Sequence, residues 1–204
     1  MSVICTANKL PVNILLLGDA TSYLKDYFKV NGYHFRRIDG KVPPDNSLWD
    51  WMDYAVSFGY REILPPQITE RMKGKMFNIH ISYLPWNRGA DPNLWSFLEG
   101  TPKGVTIHLI DENLDTGPIL VQERVNMLPE DTLLTSYQRL IDSGVKLLES
   151  SWEDIISGRV KPIPQGAGGT FHLSKDKAPF MSKMTKGWHT PVKDVELLLV
   201  KVDK

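Results

Sequence analysis

The fold is decided by the stretch VNILLLGD at residues 12–19. Its apolar run, residues 12–17, predicts a strand buried on both faces, which is typical of a parallel sheet covered by helices. Gly18-Asp19 then turns the chain into a helix predicted from about Thr21 to Asn31. A buried strand followed by a helix is the repeating unit of α/β domains, so this stretch indicates that class.

The same alternation of strands and helices continues along the chain. We predict a three-layer α/β domain with a largely parallel sheet over residues 1–160, followed by a small carboxyl-terminal appendage over residues 161–204. Within the appendage, the apolar run at residues 195–202 fits a helix or a strand equally well. Further strands are predicted at 35–38, 54–58, 76–81, 105–110 and 119–125, and helices at about 47–52, 65–73, 93–99 and 132–157.

The composition excludes several function classes. The 204 residues contain 24 Lys+Arg and 24 Asp+Glu, so the net charge is zero. The chain therefore lacks the excess of positive charge that is typical of nucleic-acid-binding proteins. A single cysteine, Cys5, excludes an intramolecular disulfide and a thiolate zinc cluster. No apolar run approaches the roughly 20 residues that span a bilayer. We therefore predict a cytoplasmic protein that binds neither membrane nor nucleic acid and carries no metal motif.

Candidate chemistry begins at FNIHI, residues 77–81. In a strand, Asn78 and His80 share one face, and two buried polar side chains cost free energy unless they have partners. They lie near the carboxyl end of their strand, where open α/β sheets form ligand crevices. A satisfied structural pair and a ligand-binding pair both fit this pattern.

A second polar stretch, DENLDTG at residues 111–117, also follows the end of a strand. Its spacing is not that of a calcium loop. Asp115, which precedes Thr-Gly, fits a fixed turn and can also deliver a carboxylate to the crevice of His80. An amide and a protonated imidazole donate hydrogen bonds to a developing oxyanion, and a nearby carboxylate favours the charged imidazole.

These elements together resemble the folate-dependent formyltransferases. The resemblance rests on Asn78-Ile79-His80, the turn at 82–85, Arg88-Gly89, and GVTIH at 104–108 leading into DTG at 115–117. It implies a Rossmann-like fold, 10-formyltetrahydrofolate as the donor, no metal, and catalytic roles for Asn78, His80 and Asp115. It also implies that the pterin is held by two segments, with contacts from Phe58, Gly59, Tyr60, Ile63, Asp111 and Leu114.

The acceptor distinguishes three branches of that family. Methionyl-tRNA formyltransferases carry a further large RNA-contacting domain, for which this chain is too short and too neutral. Glycinamide ribonucleotide formyltransferases hold a phosphate in the turn after the first strand, where Asp19 would repel it here. The sugar N-formyltransferases, which act on nucleotide-linked amino sugars, resemble this chain most at residues 84–95, 169–172, 175–176 and 187–191.

We therefore expect the protein to transfer the formyl group to the amine of a nucleotide-linked amino-deoxysugar, and a dTDP-4-amino-4,6-dideoxyhexose is the first candidate. The product is expected to serve the biosynthesis of a surface polysaccharide such as lipopolysaccharide O-antigen. The branch implies a homodimer, with residues 161–204 as a candidate dimerisation segment. An enzyme like the glycinamide ribonucleotide formyltransferases and a non-catalytic nucleotide-sugar or folate-binding module are the alternatives. Arg88 is expected to bind the diphosphate of the nucleotide sugar. The alternative is that Arg88 pairs with Asp91 or Glu99 and stabilises its own loop. Acceptor contacts are expected from Trp86, Asn87, Arg88 and Lys175.

Overall fold

The computed structural model describes residues 12–200, so Cys5 lies outside the described residues. The predicted order of strands and helices is observed, and the first helix opens with a 3₁₀ turn over Asp19–Leu24. Within the described part of the chain the elements run β1 Asn13–Leu17, α1 Lys25–Val30, β2 His34–Ile38, α2 Leu48–Trp51, β3 Tyr54–Phe58, α3 Pro66–Arg71, β4 Met76–His80, β5 Arg88–Gly89, α4 Pro92–Leu98, β6 Gly104–Leu109, β7 Ile119–Arg124, α5 Leu133–Ile156, β8 Phe171–His172, α6 Ala178–Met181 and α7 Val192–Val200.

The main sheet has six strands in the order β2-β1-β3-β4-β6-β7. The pairs β1–β2, β1–β3 and β3–β4 are parallel, whereas β6 is antiparallel to β4 and β7 is antiparallel to β6. β6 and β7 are joined by a loop without a crossover helix, and such a connection gives an antiparallel pair. The predicted Rossmann-like, mostly parallel α/β sheet with flanking helices is confirmed.

Both faces of the sheet are covered, which explains the continuous apolar run in β1. Ile14 and Leu16 pack towards α1 and α5, while Leu15 and Leu17 pack towards α2 and α3. All four side chains are fully buried, and each such burial stabilises the fold by about 1.5–3 kcal/mol. On the α5 side, Trp152 is also fully buried. The two helical layers therefore hold the strand ends, and the loops that follow them, in fixed positions.

The appendage packs against the rest of the chain. β8 pairs in parallel with β5, and α7 packs against α4 in a third apolar cluster that includes Leu94, Met184 and Val195. The ambiguous run at 195–202 is helical as far as the structure describes it. No helix within residues 12–200 is both long enough and apolar enough to cross a membrane.

Candidate active site

A cleft opens at the edge of the sheet where β1, β3 and β4 end. Its walls come from the loops after these strands, the loop between β6 and β7, one face of α5, and the appendage. Its volume of about 1030 Å³ is at the upper limit of the roughly 300–1,000 Å³ of a site for one small ligand. The carboxyl edge of a parallel sheet is the usual place for such a crevice.

Asn78 and His80 reach this cleft from β4. They are two residues apart in a strand and so share a face, while Phe77 and Ile79 enter the core on the other face. The antiparallel pairing of β4 with β6 places His108 directly opposite Asn78. His80 is 7% exposed and His108 is 2% exposed, so both imidazoles need polar partners inside the protein.

Asp115 arrives at the same place from the loop between β6 and β7. Its backbone φ of 53° lies in the left-handed region, which Asp adopts more readily than most residues. The carboxylate of Asp111 holds the turn by accepting a hydrogen bond from Thr116 Oγ1 at 2.7 Å. Gly117 packs so closely that an added Cβ would lie 1.7 Å from the carbonyl oxygen of Leu109. The Asp-Thr-Gly sequence is therefore what allows the carboxylate to enter the cleft.

The Asp115 carboxylate is the centre of a polar cluster. Its Oδ2 lies 3.5 Å from His80 Nδ1 and accepts a hydrogen bond from the backbone N–H of Gly89 at 2.9 Å. Its Oδ1 accepts one from Asn78 Nδ2 at 3.0 Å and lies 3.4 Å from His108 Nε2. The structure thus brings together the three residues proposed as catalytic from the sequence, and adds His108.

The charge of Asp115 is stabilised by these neighbours. Burial by itself raises the pKa of the carboxyl, but the attraction of His80, the hydrogen bond and charge of His108, and the N–H of Gly89 lower that pKa by more. The net pKa lies well below the ordinary value of an aspartate. The carboxylate is therefore ionised at neutral pH and complements positive charge on either imidazole.

The remaining nitrogen of each histidine faces a backbone carbonyl. His80 Nε2 lies 2.9 Å from the carbonyl oxygen of Asn87, and His108 Nδ1 lies 2.8 Å from that of Leu109. A carbonyl only accepts hydrogen bonds, so each of these nitrogens carries the hydrogen. Both nitrogens of His80 then face acceptors, which suits an imidazolium. His108 Nε2 lies 3.4 Å from Asp115 Oδ1 and 3.2 Å from Asn78 Nδ2, so it donates to the carboxylate when it carries a hydrogen and accepts from the amide when it does not.

Sequence reasoning gave His108 no chemical role, although it belongs to the motif at residues 104–108. Its position in the sequence could have indicated such a role. Thr106 and His108 share one face of a buried strand, and two buried polar side chains need partners. The specific partner of His108 depends on the antiparallel register of β4 and β6, in which Asn78 lies opposite His108. A strand order read from helix and strand alternation does not supply that register.

The residues expected to hold the pterin line one side of the cleft. Ile63 and Leu114 are large apolar side chains, 75% and 51% exposed, that come from two different loops. Beside them run the backbone groups of residues 58–62, where Gly59 has a φ of 70°. Apolar side chains next to backbone donors and acceptors fit a flat heteroaromatic ring. All six expected residues are at this wall: Phe58, Gly59, Tyr60, Ile63, Asp111 and Leu114.

The four residues expected to contact the acceptor do not line the cleft. The side chain of Asn87 is fully buried, and its amide is bonded to Glu99 and Thr101. Trp86 and Lys175 are exposed on surfaces outside the cleft. The burial of Asn87 has a physical cause: the pairing of β5 with β8 covers this part of the loop.

Arg88 is bonded within the protein. Its guanidinium donates two hydrogen bonds, of 2.9 and 2.7 Å, to Oε1 of Gln165 in the appendage, and it pairs with neither Asp91 nor Glu99. Asp91 and Lys177 do line the cleft. Lys177 Nζ lies 2.9 Å from a carboxylate oxygen of Asp91.

The turn after β1 forms another part of the wall. Gly18, with a φ of 97°, lies so close to β3 that an added Cβ would be 2.4 Å from the carbonyl oxygen of Phe58. Asp19 faces the cleft and lies 3.8 Å from the guanidinium of Arg61, although both side chains are mostly exposed. A carboxylate therefore occupies the place where the sequence analysis considered a phosphate site.

Comparison with known proteins gives a consistent family assignment. The family model described as formyl transferase matches residues 50–151. A curated methionyl-tRNA formyltransferase of Thermodesulfovibrio yellowstonii is 37% identical over 127 residues, which cover 61% of this chain and 41% of that protein. The chain spans about two fifths of the length of the curated relatives that it matches.

Solved structures match over more of the chain. The formyltransferase PseJ of Anoxybacillus kamchatkensis, crystallised with UDP-4,6-dideoxy-4-formamido-L-AltNAc and tetrahydrofolate, is 45% identical with a TM-score of 0.86. The match covers 90% of this chain and 97% of PseJ. A sugar N-formyltransferase of Shewanella sp. is 21% identical with a TM-score of 0.75, covering 92% of this chain and 87% of that one, which shows a shared fold.

Proposed function

Because this chain belongs to the formyl transferase family, we propose that it transfers a formyl group from 10-formyltetrahydrofolate to the amine of a nucleotide-linked amino-deoxysugar. The observation that carries the proposal is the match with PseJ, which extends over nearly the whole of both chains. PseJ was crystallised with a nucleotide sugar that bears a formamido group and with tetrahydrofolate. The polar cluster around Asp115 supplies the chemistry that such a transfer needs.

The donor, when bound, supplies a formyl carbonyl whose oxygen gains negative charge as the sugar amine adds. Asn78 and His80 are the groups that stabilise this charge, because amide and imidazolium N–H groups are strong donors in a buried site. Asp115 holds the imidazole of His80 and remains ionised. The pair formed by His80 and Asp115 then helps to move a proton from the attacking nitrogen to the departing one.

The donors of this site are bonded to acceptors within the protein. Asn78 Nδ2 donates to Asp115, and His80 Nε2 faces the carbonyl of Asn87. To donate to the formyl oxygen, the Asn78 amide must rotate or give up one of its present bonds, and one N–H of His80 must turn away from its present acceptor. Such hydrogen bonds commonly reach their productive geometry only when substrate is bound.

The proposal also names the nucleotide and the sugar of the acceptor. The sequence analysis favoured a dTDP-linked 4-amino-4,6-dideoxyhexose, but the PseJ structure holds a UDP-linked sugar with the formamido group at position 4. We therefore place a UDP-linked 4-amino-4,6-dideoxy sugar first and the dTDP-linked sugar second. The homodimer, the cytoplasmic location and the role in surface polysaccharide synthesis belong to the same proposal.

Two other acceptors need a direct test. The curated relatives are methionyl-tRNA formyltransferases, so formylatable methionyl-tRNA is one of them. Glycinamide ribonucleotide is the other, and Asp19 at the cleft wall argues against its phosphate. A module that binds folate or nucleotide sugar without catalysis would bind these ligands and form no product.

The experiment is a competition among acceptors with 10-formyltetrahydrofolate in excess. Equal concentrations of the UDP-linked and dTDP-linked 4-amino sugars, glycinamide ribonucleotide and methionyl-tRNA are offered together, and the formylated products are measured by mass spectrometry. We expect the UDP-linked product to accumulate fastest. Formylation of methionyl-tRNA or glycinamide ribonucleotide ahead of both sugars would contradict the proposal. Tight binding with no product would favour the non-catalytic module.

A further inference from the structure

We infer that residues 165–172 of the appendage position the imidazole of His80, because they hold both groups that the ring nitrogens face. The inference rests on the proposed function for the catalytic role of His80. Its geometry depends on this chain alone. It gives the appendage a part in the chemistry, in addition to any part in dimerisation.

The first of the two groups is the carbonyl of Asn87. It lies 2.9 Å from His80 Nε2 in a buried position, so the direction of this peptide group fixes which ring nitrogen carries hydrogen. Asn87 has a φ of 57°, in the left-handed region that asparagine adopts more readily than most residues. What holds Asn87 therefore also orients His80.

Thr170 supplies much of that support. Its Oγ1 accepts a hydrogen bond from the backbone N–H of Asn87 at 3.0 Å and donates one to Glu99 Oε2 at 2.9 Å. The same Glu99 oxygen accepts from Asn87 Nδ2 at 3.0 Å, and Thr101 Oγ1 donates to Asn87 Oδ1 at 2.7 Å. The side chain of Asn87 is thus fully used inside the protein. It acts as a positioning residue rather than as a ligand contact.

The second group is the carboxylate of Asp115, and Gln165 holds its loop. Gln165 Nε2 donates to the backbone carbonyl oxygens of Asp115 and Gly117 at 2.8 and 2.9 Å. Its Oε1 accepts both hydrogen bonds from Arg88, the residue after Asn87. One side chain of the appendage therefore ties together the two loops that carry the partners of His80.

The backbone of the appendage is built for this close approach. The N–H of Arg88 donates to the carbonyl of Thr170 at 2.9 Å, as part of the pairing between β5 and β8. Gly169, with a φ of 87°, lies where an added Cβ would be 2.0 Å from the carbonyl oxygen of Pro85. The glycine next to Thr170 is thus required for the threonine to reach Asn87.

The test replaces the Thr170 hydroxyl and observes His80 directly. Thr170→Val removes the hydrogen bonds at nearly constant shape, and Thr170→Ser restores them. We expect Thr170→Val to lower kcat by about 10- to 100-fold, the usual cost of losing a group that orients a reacting side chain. KM for the donor should stay nearly constant, and Thr170→Ser should recover most of the rate. Thr190→Val, which removes a hydroxyl elsewhere in the appendage, is the matched control and should leave kcat unchanged.

The second readout is the ¹⁵N NMR spectrum of the His80 ring in the full-length protein. In the wild type, Nε2 should be protonated at neutral pH, and in Thr170→Val the two ring nitrogen signals should move together with the fall in kcat. If Thr170→Val does not fold, Gln165→Met tests the support of the Asp115 loop instead, and the same fall in kcat is expected. A wild-type Nε2 without hydrogen, or a folded Thr170→Val with unchanged kcat and ring signals, would overturn the inference.

The inference and the proposed function fail in different ways. If Thr170→Val keeps full turnover and its His80 ring nitrogen signals do not move, the positioning role is wrong. The proposal of formyl transfer is then unaffected. Full turnover in His80→Ala would instead remove the catalytic role of His80, although the ring signals could still show that the appendage holds it. The two measurements together decide which statement is wrong.

Discussion

Replacement of Asp115 by Asn removes the negative charge at the centre of the site and keeps the shape of the side chain. Asn also tolerates the left-handed backbone conformation that Asp115 adopts, so the loop should survive. The carboxylate now accepts hydrogen bonds from Asn78 and from the backbone of Gly89, and faces His80 and His108. An amide has a single acceptor oxygen, so one of the two donors loses its partner.

The size of the effect follows from these contacts. A hydrogen bond to a charged group contributes about 1.5–3 kcal/mol, so Asp115→Asn should lower the free energy of unfolding by about 2–3 kcal/mol. The loss of charge opposite His80 also weakens the donor that stabilises the transition state. Loss of one such donor costs about 2.7–4 kcal/mol, so kcat should fall by about 10²- to 10³-fold. Formylated product is measured at saturating donor and acceptor.

The pH dependence of stability gives an independent check. The pKa of Asp115 in the folded protein lies below its unfolded value of about 3.9, so the carboxylate stabilises the fold above about pH 4. That contribution is lost as the pH falls through the folded-state pKa. The part of the stability difference between wild type and Asp115→Asn that comes from the carboxylate should therefore shrink as the pH falls below about 4. Normal turnover of the variant from about pH 6 to 9 would refute the reasoning, because Asp115 would then be only a turn residue.

Three further results are expected. His80→Ala and Asn78→Ala should each lower kcat by about 10²- to 10³-fold with a much smaller change in substrate affinity, and near wild-type turnover in both would contradict their assignment. Arg88→Ala should lower the free energy of unfolding by about 1–2 kcal/mol and leave the Kd of the nucleotide sugar unchanged, because its guanidinium is tied to the appendage. A weaker Kd at unchanged Tm would instead place Arg88 on the diphosphate. Gly117→Ala should destabilise the protein by about 3 kcal/mol or more, because its Cβ would meet a backbone carbonyl, whereas Gly32→Ala, with open space around it, should cost about 1 kcal/mol; equal changes in Tm would contradict this difference.

The parts of the fold that follow from local pattern were predictable. Residues 14–17 form an unbroken apolar run because both faces of β1 are covered, and that pattern is typical of a buried parallel strand. The placement of Asn78 and His80 at the crevice also followed from their positions near the carboxyl end of β4. These features depend on alternation within a strand and on where a strand stops, which a sequence records directly. The placement of Asp115 did not follow in this way, because β6 runs antiparallel to β4 and the loop after β6 leaves the sheet near the start of β4.

The surroundings of Asn87 and Arg88 were not predictable in the same way. Both residues lie in a polar loop whose sequence predicts exposure, yet contacts with Thr170 and Gln165, 83 and 77 positions away in the chain, turn them inward. The strand that brings this segment to the loop, β8, is two residues long and leaves no periodic signal. The role of His108 was missed for a related reason, since its partner is set by the register of β4 and β6.

The central claim is that this chain moves a formyl group from folate to a nucleotide-linked amino sugar by means of the cluster around Asp115. The most direct measurement uses 10-formyltetrahydrofolate with an isotopic label in the formyl carbon, and follows that label by NMR on mixing with the UDP-linked 4-amino-4,6-dideoxy sugar. We expect the label to appear as a formamide on the sugar with the wild-type protein, and at a rate lower by about 10²-fold or more with Asp115→Asn. Label that stays on the folate although both substrates bind, or that reaches the sugar equally fast with both proteins, would contradict the claim.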